Sequence, residues 1–329
     1  MPTPRLTIPV PTDFLLHRDS CSYGYFLLAP NHWHPGDRRL DRALHLPGGP
    51  ALVRVRQPGP ADCPLRPKPG SPLDVRSDRP LSAADRAAAV ALVTRMLRLD
   101  ESRDSIRAFH ALDPRWRRTG EGRLCRSPSF FEDVVKTVTS CNVGWPSTVG
   151  MNRRLCEAFG EKTPSGVHTF PTPSRLARQR PAALRGRCGV GYRDARIVEL
   201  AKMFARGRLG SHPVAWYEDP ATPDDALREA LIELPGIGPY AAANIMQLLG
   251  RYTLLPLDSE SVRHGRTVLG MTGPAASIMK RVARHFEPFG EHRFRSYWFE
   301  LLGFYASKRG KPWTWKRDEV GATFTAAKF

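Results

Sequence analysis

Acidic side chains are scarce in this chain of 329 residues: 32 aspartates and glutamates stand against 50 lysines and arginines. The formal charge is therefore +18 and the isoelectric point near 10.2. A surplus of that size makes a positive field that steers polyanions, so nucleic acid is the expected partner, with an acidic membrane surface as the alternative. Cysteine is also sparse. Cys21, Cys63, Cys125, Cys141, Cys156 and Cys188 contain no C-x2-C pair, so no zinc or cluster site is expected, and they read as reduced, mostly buried thiols. Long apolar runs are missing too, and Met1 to Val10 lacks the apolar core of a secretory signal. The expectation is a soluble intracellular protein, of cytoplasm, nucleoid or nucleus, with no membrane association. No glycine-rich nucleotide loop, divalent-metal cluster or fixed-period repeat is visible, and the length suits about two domains.

What is present centres on Leu234 to Asp258, LPGIGPYAAANIMQLLGRYTLLPLD. Upstream, Thr222-Pro223-Asp224-Asp225 reads as a helix start, with a hydroxyl cap, an early proline and acids at the positive helix end. Leu227, Ala230, Leu231 and Leu234 recur at helical spacing, and Pro235-Gly236-Ile237-Gly238-Pro239 stops the helix. A second helix from Tyr240 turns Ala241, Ala242, Ile245, Leu248 and Leu249 inward, and Gly250 is placed to end it. Such a hairpin offers Gly236 and Gly238 for close approach and the free backbone N–H groups of a helix start, which together can grip a phosphate. Asp258, followed by Ser259, Glu260 and Ser261, is placed at the N-terminus of a third helix, where the ionised form is favoured. Taken locally, Asp258 is a good N-cap and Tyr240 a packed aromatic; both capping and chemistry can hold together.

This constellation resembles the helix-hairpin-helix, Gly/Pro-rich loop and Asp signature of the DNA glycosylases that excise damaged bases. Relatives that also cut the strand carry a lysine where this chain has Tyr240, and a tyrosine cannot form a Schiff base with the sugar. The resemblance implies a monofunctional enzyme that hydrolyses the N-glycosidic bond in duplex DNA and leaves an abasic site. Asp258 would be its catalytic carboxylate, and Gly236, Ile237, Gly238 and Arg263 would contact DNA, with Arg266 beside them. It also implies a place for a monovalent cation at the hairpin carbonyls, although no cofactor is required. The iron–sulfur branch of the family is disfavoured, since no cysteine follows Cys188.

Elsewhere the resemblance is looser. Residues 1–80 hold short β-type runs, Leu6–Val10, Tyr23–Leu28 and Ala51–Val55, separated by turn signals. The stretch from Asp13 to Pro35 resembles the opening of the small antiparallel-sheet domain of 8-oxoguanine and alkylated-base glycosylases. His32 and His34, without further ligands, read as surface residues. Ser82 to about Ala111 reads as helical, with a box-like cap at Ser82 and Asp85, and Leu97–Asp100, Asp113–Trp116 and Gly122–Arg126 resemble a linker region of the 8-oxoguanine branch. Phe131–Asn142 and the run through Gly160 read as two helices, and they resemble the 8-oxoguanine branch, in which an Asn at the position of Asn142 fills the gap left by the everted nucleotide. A helix C-cap is the plain alternative for Asn142. Trp145 is a candidate wall of the base pocket or simply a packed side chain. The run from Gly189 to Arg193 resembles the family's Gly-Tyr-Arg turn. Phe294–Tyr305 reads as bundle core and pocket wall, and Lys308–Lys328 as a solvated tail or a strand contact.

The expected fold is mainly α, a helix-hairpin-helix glycosylase bundle of two helical lobes with an N-terminal antiparallel β-sheet (α+β). In sequence it divides into residues 1–112, the sheet plus a bridging helix, 113–310, the glycosylase domain, and 311–329, a basic tail. A monomer acting on damaged duplex DNA is expected. One carboxylate without a visible acid partner suits a base that leaves easily, such as a cationic alkylated purine. Tyr240 stands where alkylated-base glycosylases place a Trp and is the candidate stacker, and Asn244, one turn on, faces the same pocket. The Asn142 region points instead to the 8-oxoguanine branch, so the lesion stays open. A lyase using Lys136 and a non-catalytic DNA-binding module are the competing readings.

Overall fold

The computed structural model describes residues 5–61 and 63–317. Five antiparallel strands, β1 (Arg5–Ile8), β2 (Asn31–His34), β3 (Arg39–Leu46), β4 (Gly49–Arg56) and β5 (Leu73–Ser77), form one sheet in the order β1-β5-β4-β3-β2. In the central pair Leu40 faces Val55, Arg42 faces Val53 and Leu44 faces Ala51, so β-branched and aliphatic side chains meet across the ladder. The rest is helical, and the fold is the α+β arrangement expected.

Tyr23–Leu28 is not a strand. Gly24–Leu27 forms a 3-10 turn because neighbouring side chains are claimed by different cores: Phe26 and Leu27 join the sheet core, while Tyr23, Tyr25 and Leu28 join a cluster between the lobes. That division does not follow the period of two that a strand needs. The helical stretch expected over 82–111 consists of two helices, Ala83–Leu97 and Arg103–Leu112, broken where Arg98 takes a left-handed φ of 55°. The break has a use. The buried Arg98 guanidinium donates to the Gln247 and Leu248 carbonyls at 2.8 and 2.6 Å, closing the C-terminal end of the second hairpin helix.

The division into successive domains is also corrected. The sheet core takes in Val262, Ile278, Val282, Phe286, Tyr297 and Leu301 from the helices Ser259–Thr267, Ala275–His285 and Arg293–Arg309. The other lobe is built mainly from the stretch Phe130 to Leu249, with Ala29 and Leu254 added to its core. A sheet must cover its apolar face, and the covering helices come from the far end of the chain. The tail is partly tied down as well: Trp33 Nε1 donates to Trp313 O at 2.8 Å and Trp315 is buried. The strand-contact reading of residues 318–329 lies outside the described residues.

His34 pairs with Asp41 at 3.1 Å, and the His32 and His34 rings lie 4.3 Å apart. Among the described residues no group of three or more His, Cys, Asp or Glu could hold a metal ion, and no helix is long and apolar enough to cross a membrane. The six cysteines are unpaired thiols, and burial pushes Cys125 and Cys141 up to about 11.

Candidate active site

The hairpin helices span Asp224–Ile232 and Pro239–Leu248. Thr222 does not cap the first. Its hydroxyl donates to Trp216 O at 2.7 Å, and the helix begins after Pro223. Asp224, expected only to complement the helix end, instead accepts from Thr253 at 2.6 Å and pairs with Arg251 at 3.3 Å, fastening the strand that leaves the second helix. In the loop, Leu234 N donates to Leu231 O and Ile237 N to Leu234 O, each at 3.1 Å. Gly236 has φ +80°, and a Cβ there would sit 2.6 Å from Arg196 Cδ. Gly238 is exposed and extended at the N-cap, with nothing within 4 Å of a Cβ position. Ile237 is buried at 4% exposure, so it anchors the loop and offers only backbone to a ligand. Beyond Pro239, which has no N–H, the first-turn amides have no helical acceptor, leaving them to an anion.

Asp258 is the N-cap of the helix Ser259–Thr267. Its Oδ1 accepts the amides of Glu260 at 2.9 Å and Ser261 at 3.1 Å, while its own N–H donates to Ser261 Oγ at 3.2 Å. Capping thus occupies one carboxylate oxygen of the half-buried side chain and leaves the other outside the cap. Its pKa is raised: burial dominates, the Ser261 amide opposes it, the nearby Glu260 charge adds to it, and the Glu260 amide and a Tyr240 hydrogen bond oppose it. Ser261 Oγ is held 3.1 Å from the buried Tyr297 hydroxyl, which fixes the cap from behind.

Tyr240 belongs to the same group. Burial, then the charge of Asp258, pushes its phenol well up, so it stays a neutral hydroxyl. Asn244 accepts from Tyr23 at 3.1 Å and donates to Tyr240 O at 3.1 Å. Trp145 begins the helix Trp145–Phe159 and lies half-buried, its ring so close to Gly24 that a Cβ there would be 3.0 Å from Cη2. Tyr23, Gly24, Trp145, Tyr240 and Asn244 are thus linked by pairwise contacts, with Asp258 close to Tyr240. Neither of two surface clefts of about 420 and 410 Å³ contains Asp258; the first, lined by Val143, Ser147, Arg154 and Arg193, lies beside Asn142.

Asn142 follows the helix Phe130–Ser140 rather than ending it. It is exposed, has φ +53°, and donates to the Tyr192 hydroxyl at 3.2 Å. Tyr192 is itself 50% exposed, with the Arg193 and Arg196 guanidinium carbons 4.5 and 5.0 Å from its ring centre. Arg193 donates to the Val138, Val190 and Cys141 carbonyls, holding the turn that presents Asn142.

Arg263 and Lys136 are both placed inside the protein. Arg263 is 7% exposed, pairs with Glu260, and lies against the Phe304 and Tyr305 rings. Helical periodicity does not tell which charged face turns inward, and Arg266 is the exposed one. Lys136 cannot serve as a lyase amine, being fully buried, 2.7 Å from Glu132 and between the Tyr25 and Phe170 rings. Sequence reading also missed Tyr23 and Tyr297, for which no local signal exists, and Tyr192, whose Gly-Tyr-Arg turn was visible.

Comparison with known proteins agrees with this geometry. No protein-family model matches the sequence. A Bacillus subtilis protein named provisionally as a DNA-3-methyladenine glycosylase is 26% identical over 164 residues, 49% of this chain and 55% of its own. The chain spans about half the length of the curated relatives it matches. Among solved structures, the 3-methyladenine DNA glycosylase of Archaeoglobus fulgidus superposes with a TM-score of 0.67 at 19% identity, covering 92% of this chain and 99% of that one. The 8-oxoguanine glycosylase/lyase of Clostridium acetobutylicum gives 0.65 at 18% identity, covering 92% and 96%. The fold is that of these two solved glycosylases.

Proposed function

We propose that the protein is a monofunctional DNA glycosylase of base excision repair, which everts a damaged base from duplex DNA and hydrolyses its N-glycosidic bond. One observation carries the reading: Asp258 has one oxygen fixed by two backbone amides and lies close enough to Tyr240, at the start of the second hairpin helix, for the two groups to shift each other's acidity. Cleavage builds positive charge on the sugar, and a preorganised carboxylate stabilises it and orients water against the anomeric carbon. The amides at Gly238 and the first turn after it hold a backbone phosphate, so the distance from phosphate to acid is set by one rigid hairpin. Asn142, steadied by Tyr192, enters the duplex where the nucleotide has left and offsets part of the unstacking cost.

With Tyr240 in the hairpin and Lys136 sealed in an ion pair, neither position supplies an amine for strand cleavage. A single carboxylate at Asp258 suits an alkylated purine, whose own charge makes it depart. The protein works as a monomer on duplex DNA. No cofactor is needed. A monovalent cation at the hairpin suits the carbonyls of Leu234 and Gly238, which each accept one amide and keep a second lone pair.

The test is release of free base from duplexes carrying single defined lesions, read by mass, with borohydride added in parallel. Base release that leaves alkali-labile sites, lost in Asp258→Asn while duplex binding persists, supports the proposal. A covalent protein–DNA adduct trapped by borohydride, or undiminished release by the variant, overturns it.

A further inference from the structure

The second hairpin helix carries more buried polarity than the phosphate grip explains. Tyr240, Asn244 and Gln247 recur at helical spacing and share one face. Along that face exposure falls from half-buried Tyr240 through Asn244 at 7% to Gln247 at 0%. The Asn244 amide is accounted for by Tyr23 and by the Tyr240 carbonyl. That of Gln247 is not: among the described residues neither its Oε1 nor its Nε2 makes a hydrogen bond of good geometry, the nearby Tyr23 hydroxyl offering at most a weak contact. The Tyr23 hydroxyl is near enough to Gln247 for the amide to affect its acidity, and Tyr23 in turn feels the charge of Asp258. On the opposite side the Trp145 indole N–H is also buried without a partner, and its ring lies against Gly24, the residue after Tyr23.

An amide buried with donor and acceptor both unmet is a net cost to folding, and a leucine would fill the same volume without it. We infer that Gln247, with Tyr23 and the Trp145 N–H, reads the hydrogen-bonding edge of the everted base, and that the substrate is a purine presenting an adjacent donor and acceptor there. This rests on the glycosylase reading and deepens it. An amide sets one donor beside one acceptor, the complement of N6–H with N1 on an adenine-type ring or of O6 with N1–H on a guanine-type ring. Turning the amide over serves either. A base lying along Tyr240 extends toward Asn244 and Gln247, so the same helix that begins at the phosphate ends at the base edge.

The experiment measures single-turnover release from duplexes carrying 3-methyladenine, 7-methylguanine, hypoxanthine, a damaged pyrimidine and 1,N6-ethenoadenine, whose edge is sealed. It uses wild type, Gln247→Leu and Trp145→Phe, the last removing the indole N–H and keeping a ring. Wild type should release at least one edge-bearing purine, and the two methylated arms tell the adenine-type from the guanine-type edge. Gln247→Leu should lower that rate about 10- to 100-fold relative to any release of the sealed-edge base, with an unchanged or raised melting temperature. Release by wild type with an unchanged rate and ratio in both variants overturns the assignment of Gln247 alone, as does wild-type activity confined to the pyrimidine. No release by wild type from any duplex overturns the glycosylase reading itself. Should Gln247→Leu not fold, Trp145→Phe carries the same ratio test.

Discussion

Replacing Asp258 by asparagine should make the protein more stable and inactive at once, and the pH dependence of the gain is its signature. The carboxylate is half-buried, and burial raises its pKa above the ordinary 3.8 despite the amides of Ser261 and Glu260. A carboxyl with a raised folded pKa favours the native state below the unfolded value and loses that advantage as pH rises through the folded one. The substituted amide would be neutral throughout, and its oxygen can accept the same two backbone N–H groups, so the cap survives. The melting temperature of Asp258→Asn should therefore match wild type below the unfolded value of 3.8 and exceed it by a margin that grows as pH rises through the folded pKa and is constant above it. Asp258→Ala removes the cap as well, which costs about 1 kcal/mol relative to Asn. In a chain of this size that corresponds to roughly 2–4 °C. Base release should fall at least ~100-fold in both variants, as when a preorganised stabilising group is deleted. Calorimetry across pH, paired with single-turnover release, reads all of this. An Asn variant that melts below wild type by a constant amount at every pH would refute the idea that the carboxylate is held at a cost.

Other expectations follow from the same geometry. Burial works against ionising Glu132, but the charges of Arg42 and Lys136 win and hold it at about 2, so the stability it confers is present above the ordinary value of 4.5 and lost as pH falls toward 2. Lys136→Met leaves that network short of a charge and should destabilise the fold by about 3 kcal/mol by denaturant titration, while the release rate of the folded fraction stays within twofold; a selective loss of chemistry would return Lys136 to the active site. Gly236→Ala places a side chain at φ +80° against Arg196 and should cost about 1–2 kcal/mol and weaken duplex binding at every lesion alike, measured by anisotropy over a salt series. Asn142→Ala should slow base release while leaving undamaged-duplex affinity nearly unchanged, since Asn142 acts only after eversion; an equal loss on both duplexes would make it an ordinary backbone contact.

Much of the site was readable because it is local. The hairpin follows from helix spacing, two glycines and two prolines within a few residues, and the Asp258–Ser261 capping box closes over three. Patterns of this kind say that a face is apolar or that an end is capped, and they do so without knowing the rest of the chain. They do not say which face covers which. The helices from Ser259 to Arg309 complete the core of a sheet made by residues 5–77, and only packing pairs them. Arg263 and Lys136 look like available cations until the carboxylates of Glu260 and Glu132 and the surrounding rings are placed on them. The contact between Tyr23 and Asn244 joins residues 221 apart. The amino-acid order thus determined the hairpin and the capped Asp258, both short-range. Tertiary structure alone decided which polar groups are spent on the protein and which, like the Gln247 amide, are left for a ligand, because desolvation is a property of the packed whole.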